Sequence, residues 1–240
     1  MNPWIRLLGL LAAIVVAALF LRVLPPLVVL ALFVAGVAYA NHVLTVVPKR
    51  ERSRGTAEAL GLRPVPAEEA GLSGYPFALL HRPGAATSEV MAGPWRGSEI
   101  RLFDLETVVA NPIEGDDDRR RFSGAIAPLP FQSAHVVVEP HGFLTPGDQR
   151  PDLPAVTSLP PRLASSFDAR SADPGFAAGL LDARVVDWLA SREERTAFET
   201  YGQAVLVYEP WAPAKDRDLL LEAVQGLLDA IEARGGSVGA

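Results

Sequence analysis

Glu99-Ile100-Arg101-Leu102-Phe103-Asp104-Leu105-Glu106-Thr107-Val108-Val109 carries apolar side chains on both parities. Successive side chains of a strand point to opposite faces, so this run predicts a central strand covered on two sides. Around it, residues 76–80, 88–92, 121–127 and 134–139 are short β-prone stretches divided by glycine and proline, the spacing of an antiparallel meander. Two more strands are expected, at 165–169 and at 203–208 before Pro210. Residues 140–162, rich in proline and glycine, read as a surface loop with at most one helical turn.

Asp173-Pro174 fits an N-cap followed by proline at the first helical position. From there Phe176, Leu180, Leu181, Val185, Trp188 and Leu189 recur at helical spacing to about Ser191. In residues 216–233, Leu220, Val224, Leu227, Leu228 and Ile231 form one apolar stripe with charge opposite. Strands early and helices late, without βαβ alternation, predict an α+β domain over residues 73–233, with a mainly antiparallel sheet and two or three packing helices. Residues 49–72 read as a juxtamembrane helix and linker, the helix ending at Arg63-Pro64-Val65-Pro66, and residues 234–240 as a disordered tail.

Residues 1–48 have a different character. Two apolar runs, 5–24 and 27–47, are separated by Pro25-Pro26 and contain no acid. Each is about the ~20 residues that a helix needs to cross a bilayer, and proline breaks the helix between them, so a two-helix transmembrane hairpin is expected. Arg22 beside the turn can snorkel to the headgroups. Arg6 before the hairpin and Lys49, Arg50, Arg52 and Arg54 after it outnumber Arg22, which by the positive-inside rule puts both termini and the large domain in the cytoplasm. Trp4 suits the interfacial aromatic belt. Ala31/Ala35 and Gly36/Ala40 are small-xxx-small pairs that suit close packing within the hairpin or in a dimer. Ala38-Tyr39-Ala40 has the form of a signal cleavage site, but a signal core is only ~7–15 residues long. A single crossing plus a re-entrant segment is the other alternative, and it would put the domain outside the cell. Asn41 and His42, polar at membrane depth, lie near the hairpin's mouth and read as structural.

Composition narrows the functional classes. Without Arg6 and Arg22, twenty basic residues stand against all 28 acidic ones, so the remainder carries a formal charge of −8 and would repel a phosphate backbone. The basic cluster after the hairpin reads as a topology anchor that can attract anionic lipid. Absence of cysteine excludes disulfides, thiolate nucleophiles and cysteine-ligated metals.

No motif carries chemistry decisively. Neither phosphate-binding glycine pattern occurs, and Gly71-Leu72-Ser73-Gly74 is one residue out of a serine elbow. His135, Glu139 and His141 share parity, so an unbroken strand would display three plausible zinc or iron ligands on one face. Pro140 is expected to break that strand first. Asp116-Asp117-Asp118 contains a D-x-D, but Arg119-Arg120-Arg121 follows and local neutralisation is the simpler reading. Asp182 and Asp187, five apart, look like a solvated helix face, and Trp95, Trp188 and Trp211 like core or groove anchors. No catalytic, cofactor or metal residue is assigned.

Four stretches resemble a family of uncharacterised bacterial membrane proteins of actinobacterial type. They are Gly97-Ser98-Glu99-Ile100-Arg101-Leu102-Phe103-Asp104, residues 134–139, Phe167-Asp168 with residues 181–189, and residues 198–208 with the closing helix. The resemblance implies an N-terminal hairpin and a cytoplasmic domain of unknown function, and it brings no activity or active-site residue. The sequence therefore leads to an integral inner-membrane, multi-pass protein whose domain is a non-catalytic interaction or regulatory module. Its expected partners are the bilayer and either another protein or a second copy of the chain, not nucleic acid. An enzyme with a site converging from separate strands, and an accessory subunit of a transport or envelope assembly, are the alternatives. A reporter fused after Ala240 is expected to be active only in its cytoplasmic form; activity confined to the outside would overturn this topology.

Overall fold

In the computed structural model the described residues are 34, 36, 37, 60–82, 84–110, 117–142, 153–192, 196–210 and 217–235. The chain divides into two compact units, Met1–Glu51 and Arg52–Ala240. In the first, Val34, Gly36 and Val37 are helical. The rest of the expected hairpin, with Asn41 and His42, lies outside the described residues. Among the described residues no helix is long and apolar enough to cross a membrane.

The second unit is an α+β domain built on six strands: β1 (Arg63–Pro64), β2 (Ala86–Trp95), β3 (Ser98–Ala110), β4 (Asp117–Pro140), β5 (Phe167–Ser171) and β6 (Ala197–Pro210). Among the described residues every strand pairing is antiparallel. Arg96 and Gly97, at φ of 48° and 84°, make a two-residue turn between β2 and β3. Positive φ at both centres matches the right-handed twist of the flanking strands. β4 is 24 residues long and replaces the two separate strands expected at 121–127 and 134–139. Its first half lies between β3 and β6, its second half between β5 and β6. Pro128 and Pro130 do not end it, because its register with β6 shifts between Pro128 and Ser133. A bulge of this kind accommodates residues that cannot join the ladder. Opposite it, Gly202 takes φ 58°, and the parity of β6 residues facing the helices changes from Phe198 to Val205 and Val207.

Four helices are described: α1 (Pro161–Ala164), α2 (Pro174–Leu180), α3 (Ala183–Ser191) and α4 (Arg217–Gly235). Asp173 caps α2 as expected, its Oδ1 accepting from Phe176 N at 2.9 Å. The expected single helix to Ser191 is two, because Asp182 caps α3 by accepting from Arg184 N and Val185 N. Asp182 is thus a cap, and only Asp187 is on a solvated face, where it pairs with Arg162 at 3.1 Å. Trp188 and Trp95 pack half-buried against the helical-side core, while Trp211 lies outside the described residues. The α4 stripe is buried as its spacing required.

Both sheet faces are covered. Ile100 and Leu102 face the core shared with α2, α3 and α4, whereas Phe103 and Leu105 face a second core, so the doubly apolar run reads correctly as a two-faced strand. The second core is roofed by residues 65–82. Within this roof, residues 76–80, expected as a strand, form a 3-10 turn at Ala78–His81, since Pro76 has no N–H to enter a ladder. Residues 60–72, expected as linker, join the domain: Arg63 and Pro64 pair with Ala92 and Met91, and Leu62, Ala70 and Leu72 are buried.

One buried ion pair joins sheet to helix. Arg217 NH2 lies 3.0 Å from Asp104 Oδ2, with both side chains nearly fully buried, and Ser123 Oγ donates to Asp104 Oδ1 at 3.0 Å. A cation at a helix N-terminus opposes the helix dipole, and Asp104 offsets it. Removing one partner of a buried pair leaves an uncompensated charge at a cost of ~3–5 kcal/mol. Asp104→Ala is therefore expected to lower unfolding free energy by about that much, read from the urea midpoint by tryptophan fluorescence; a loss below ~1 kcal/mol would show that the pair is not holding α4.

Candidate functional site

His135 and Glu139 lie on the same face of β4, under the roof, as their shared parity requires. β6 brings two further groups to this face. His135 Nε2 is 2.5 Å from Glu199 Oε1, and Tyr208 donates its hydroxyl proton to Glu139 Oε1. The roof closes over them. Ala78 N–H is shared between Oε1 and Oε2 of Glu199, at 2.8 and 2.9 Å, and Arg82 NH2 lies 4.0 Å from Glu139 Oε1. Phe77 and Leu79, on either side of Ala78, are fully buried in the second core.

This burial sets the electrostatics. Loss of water pushes the Glu139 carboxyl up to about 7, the Tyr208 hydroxyl bond and Arg82 pull it down, and Glu199 and Asp168 add to the rise. Burial likewise pushes the Tyr208 hydroxyl well above its ordinary value, helped by the charge of Glu139. A carboxylate in a low-dielectric site holds its proton because the charged form is poorly solvated. Displaced carboxyls often mark chemistry, and a His–Glu pair is a common way to orient a general base. Here, however, both oxygens of Glu199 are committed to a backbone amide and one also to His135, and the pair is buried. The arrangement fastens the roof to the sheet.

Beside it opens a cleft of about 300 Å³, lined among others by Tyr75, Pro76, Arg101, Tyr201, Gly202 and Gln203. Tyr201 is 46% exposed and stands edge-on to the His135 ring, centroids 5.3 Å apart, so it separates the cleft from the buried pair. Arg101 is tied down by donating from Nε to Ala70 O at 2.9 Å and lies 5.7 Å over the Tyr75 ring.

The other candidates do not converge here. His141 follows the end of β4 at Pro140, is half exposed, and faces Asp168 at 3.6 Å. Among the described residues no group of three metal-competent side chains assembles. Arg119 pairs across the sheet with Glu106 at 2.9 Å, while Asp116 and the side chains of Asp117 and Asp118 lie outside the described residues. Leu72–Gly74 is a 3-10 turn preceded by Gly71, with Leu72 buried. Glu199, Tyr208 and Arg82 were not picked out from the sequence. Tyr208 is marked there only as the end of the β-prone run 203–208, and Glu199 only as part of the resembling stretch 198–208. Glu199→Ala should cost about 3 kcal/mol, since it strands the Ala78 amide and His135. In a double-mutant cycle with His135→Ala the coupling is expected at ~1–3 kcal/mol; additive losses in urea unfolding would break the link between the two.

No protein-family model matches the chain, and no curated protein matches it. Among solved structures, its fold is similar to the crystal structure of the mycobacterial trehalose monomycolate transport factor A, TtfA, with a TM-score of 0.56 and 16% identity over 75% of this chain and 92% of that one. At that identity the likeness is one of fold.

Proposed function

We propose that the chain is a membrane-anchored, non-catalytic interaction module at the cytoplasmic face, acting as an accessory component of an envelope transport assembly. One observation carries the non-catalytic part. The titratable groups gathered on the sheet are shut beneath residues 77–82 and engaged in holding them, while the cleft open to solvent is walled mainly by Tyr75, Pro76, Pro128 and Tyr201, with Glu99 and Arg101 at its side and Arg101 tied to Ala70 O. An aromatic, largely apolar wall suits a partner's side chains, since exposed apolar surface marks interaction sites. The anchor rests on the two apolar runs and the basic residues after them. The assembly rests on the fold shared with a protein described as a transport factor.

A photo-crosslinking residue in place of Tyr201, in the full-length chain in native membranes, tests this reading. The expected result is a discrete adduct with another membrane protein, retained when residues 1–48 are replaced by an unrelated hairpin. No adduct at Tyr201 or at Gln203 would remove the basis for a docking module. An adduct with a second copy alone would replace the hetero-assembly by a homodimer.

A further inference from the structure

Arg101 differs from the arginines that serve as fastenings. Arg82, Arg119, Arg162, Arg192 and Arg217 each stand against a carboxylate. Among the described residues no carboxylate comes within ion-pair distance of Arg101, although the chain has more acids than bases. Its contacts are a carbonyl and a ring: Nε donates to Ala70 O at 2.9 Å, and the guanidinium lies 5.7 Å from the Tyr75 ring centre. Tyr75 is itself held, stacked on buried Phe77 at 5.5 Å and with its carbonyl accepting from His81 Nε2 at 2.7 Å. The two terminal nitrogens meet no acceptor among the described residues, and Arg101 lines the cleft.

We propose that this fixed guanidinium is the anchor of the cleft and takes a carboxylate side chain of the partner, an aspartate or glutamate flanked by apolar residues. The proposal rests on the docking reading above and names the chemistry of the segment that docks.

A guanidinium presents paired N–H groups in one plane, which match the two oxygens of a carboxylate. Arg101 loses little freedom on binding, because Nε and the ring already hold it. Around it Tyr75, Pro76, Pro128 and Tyr201 offer apolar surface to the residues beside the acid. Arginine and tyrosine in a central pocket are the residue types that dominate interface energetics. Glu99 limits the charge the site accepts. It is exposed on the same face of β3, two residues before Arg101 and beyond ion-pair distance, so the site carries one positive and one negative charge. A singly charged carboxylate suits that balance, whereas a phosphate dianion would be repelled by Glu99.

The full-length chain in native membranes, with a photo-crosslinking residue in place of Gln203, tests the anchor. Arg101→Met keeps a long side chain without the fork, and adduct yield is expected to fall about tenfold. Arg101→Lys, which keeps the charge alone, should fall between the two. The partner peptide in the adduct is expected to hold an aspartate or glutamate close to the attachment point. Changing that acid to its amide should lower the yield with the wild-type chain by a similar factor and cause no further loss with Arg101→Met, whereas a merely structural role for Arg101 would make the losses additive. Undiminished yield with Arg101→Met, a partner peptide without an acid, or additive losses would overturn the anchor and leave the docking reading standing. If Arg101→Met does not fold, the partner's amide variant decides alone, and undiminished yield with the wild-type chain overturns the anchor. No adduct at Tyr201 or Gln203 would remove the docking reading itself, and the anchor with it.

Discussion

The backbone of Asp117–Pro140 pairs with β3 and β6 over its first half and with β5 and β6 over its second. At 122–126 and again at 136–138 this strand is paired on both sides, and its faces are roofed, one by α2, α3 and α4 and the other by residues 65–82. Arg121 and Gln132 still reach water, but a polar residue turned inward where the strand is enclosed must find a partner inside. Val136 and Val138 meet this condition as core residues. His135 and Glu139, on the opposite parity, meet it only because β6 supplies Glu199 and Tyr208.

That requirement explains why the roof is more than hydrophobic cover. Phe77 and Leu79 provide the apolar contact, but Ala78 N–H and Arg82 make the segment specific to its place, since they complete a buried polar set that would otherwise be costly. The Asp104–Arg217 pair plays a parallel part on the helical side. Among the described residues each face thus has a polar fastening within an otherwise apolar layer, at the N-terminus of α4 on one side and at Ala78 and Arg82 of the roof on the other. Such pairs select an arrangement more than they add stability.

The parts of the fold that were legible in the sequence are those governed by short-range rules. The two-faced run at Ile100 to Leu105, the Asp173-Pro174 helix start and the Leu220 to Ile231 stripe each follow from local periodicity or capping chemistry. The misreadings share a cause. Pro128 and Pro130 look like a strand end, yet a bulge against Gly202 carries the ladder past them. Leu181 continues the helical spacing, yet Asp182 finds two amides to cap and begins a new helix. In both places a partner distant in sequence, or a competing local hydrogen bond, decided between two acceptable conformations.

The candidate site divides in the same way. Parity alone places His135 and Glu139 on one face and makes them a pair worth following, and the proline after Glu139 separates His141 from them. An apolar, acid-free start and the basic residues that follow it are likewise properties of composition, and the membrane reading depends on nothing else. Which groups complete the site could be decided only by tertiary structure. Glu199 and Tyr208 lie more than sixty residues away from their partners, and Arg82 reaches Glu139 only after the roof has folded over the sheet. Burial is a property of the assembled layers. Until they close, Glu139 is an ordinary carboxylate, and afterwards it is one held near neutrality.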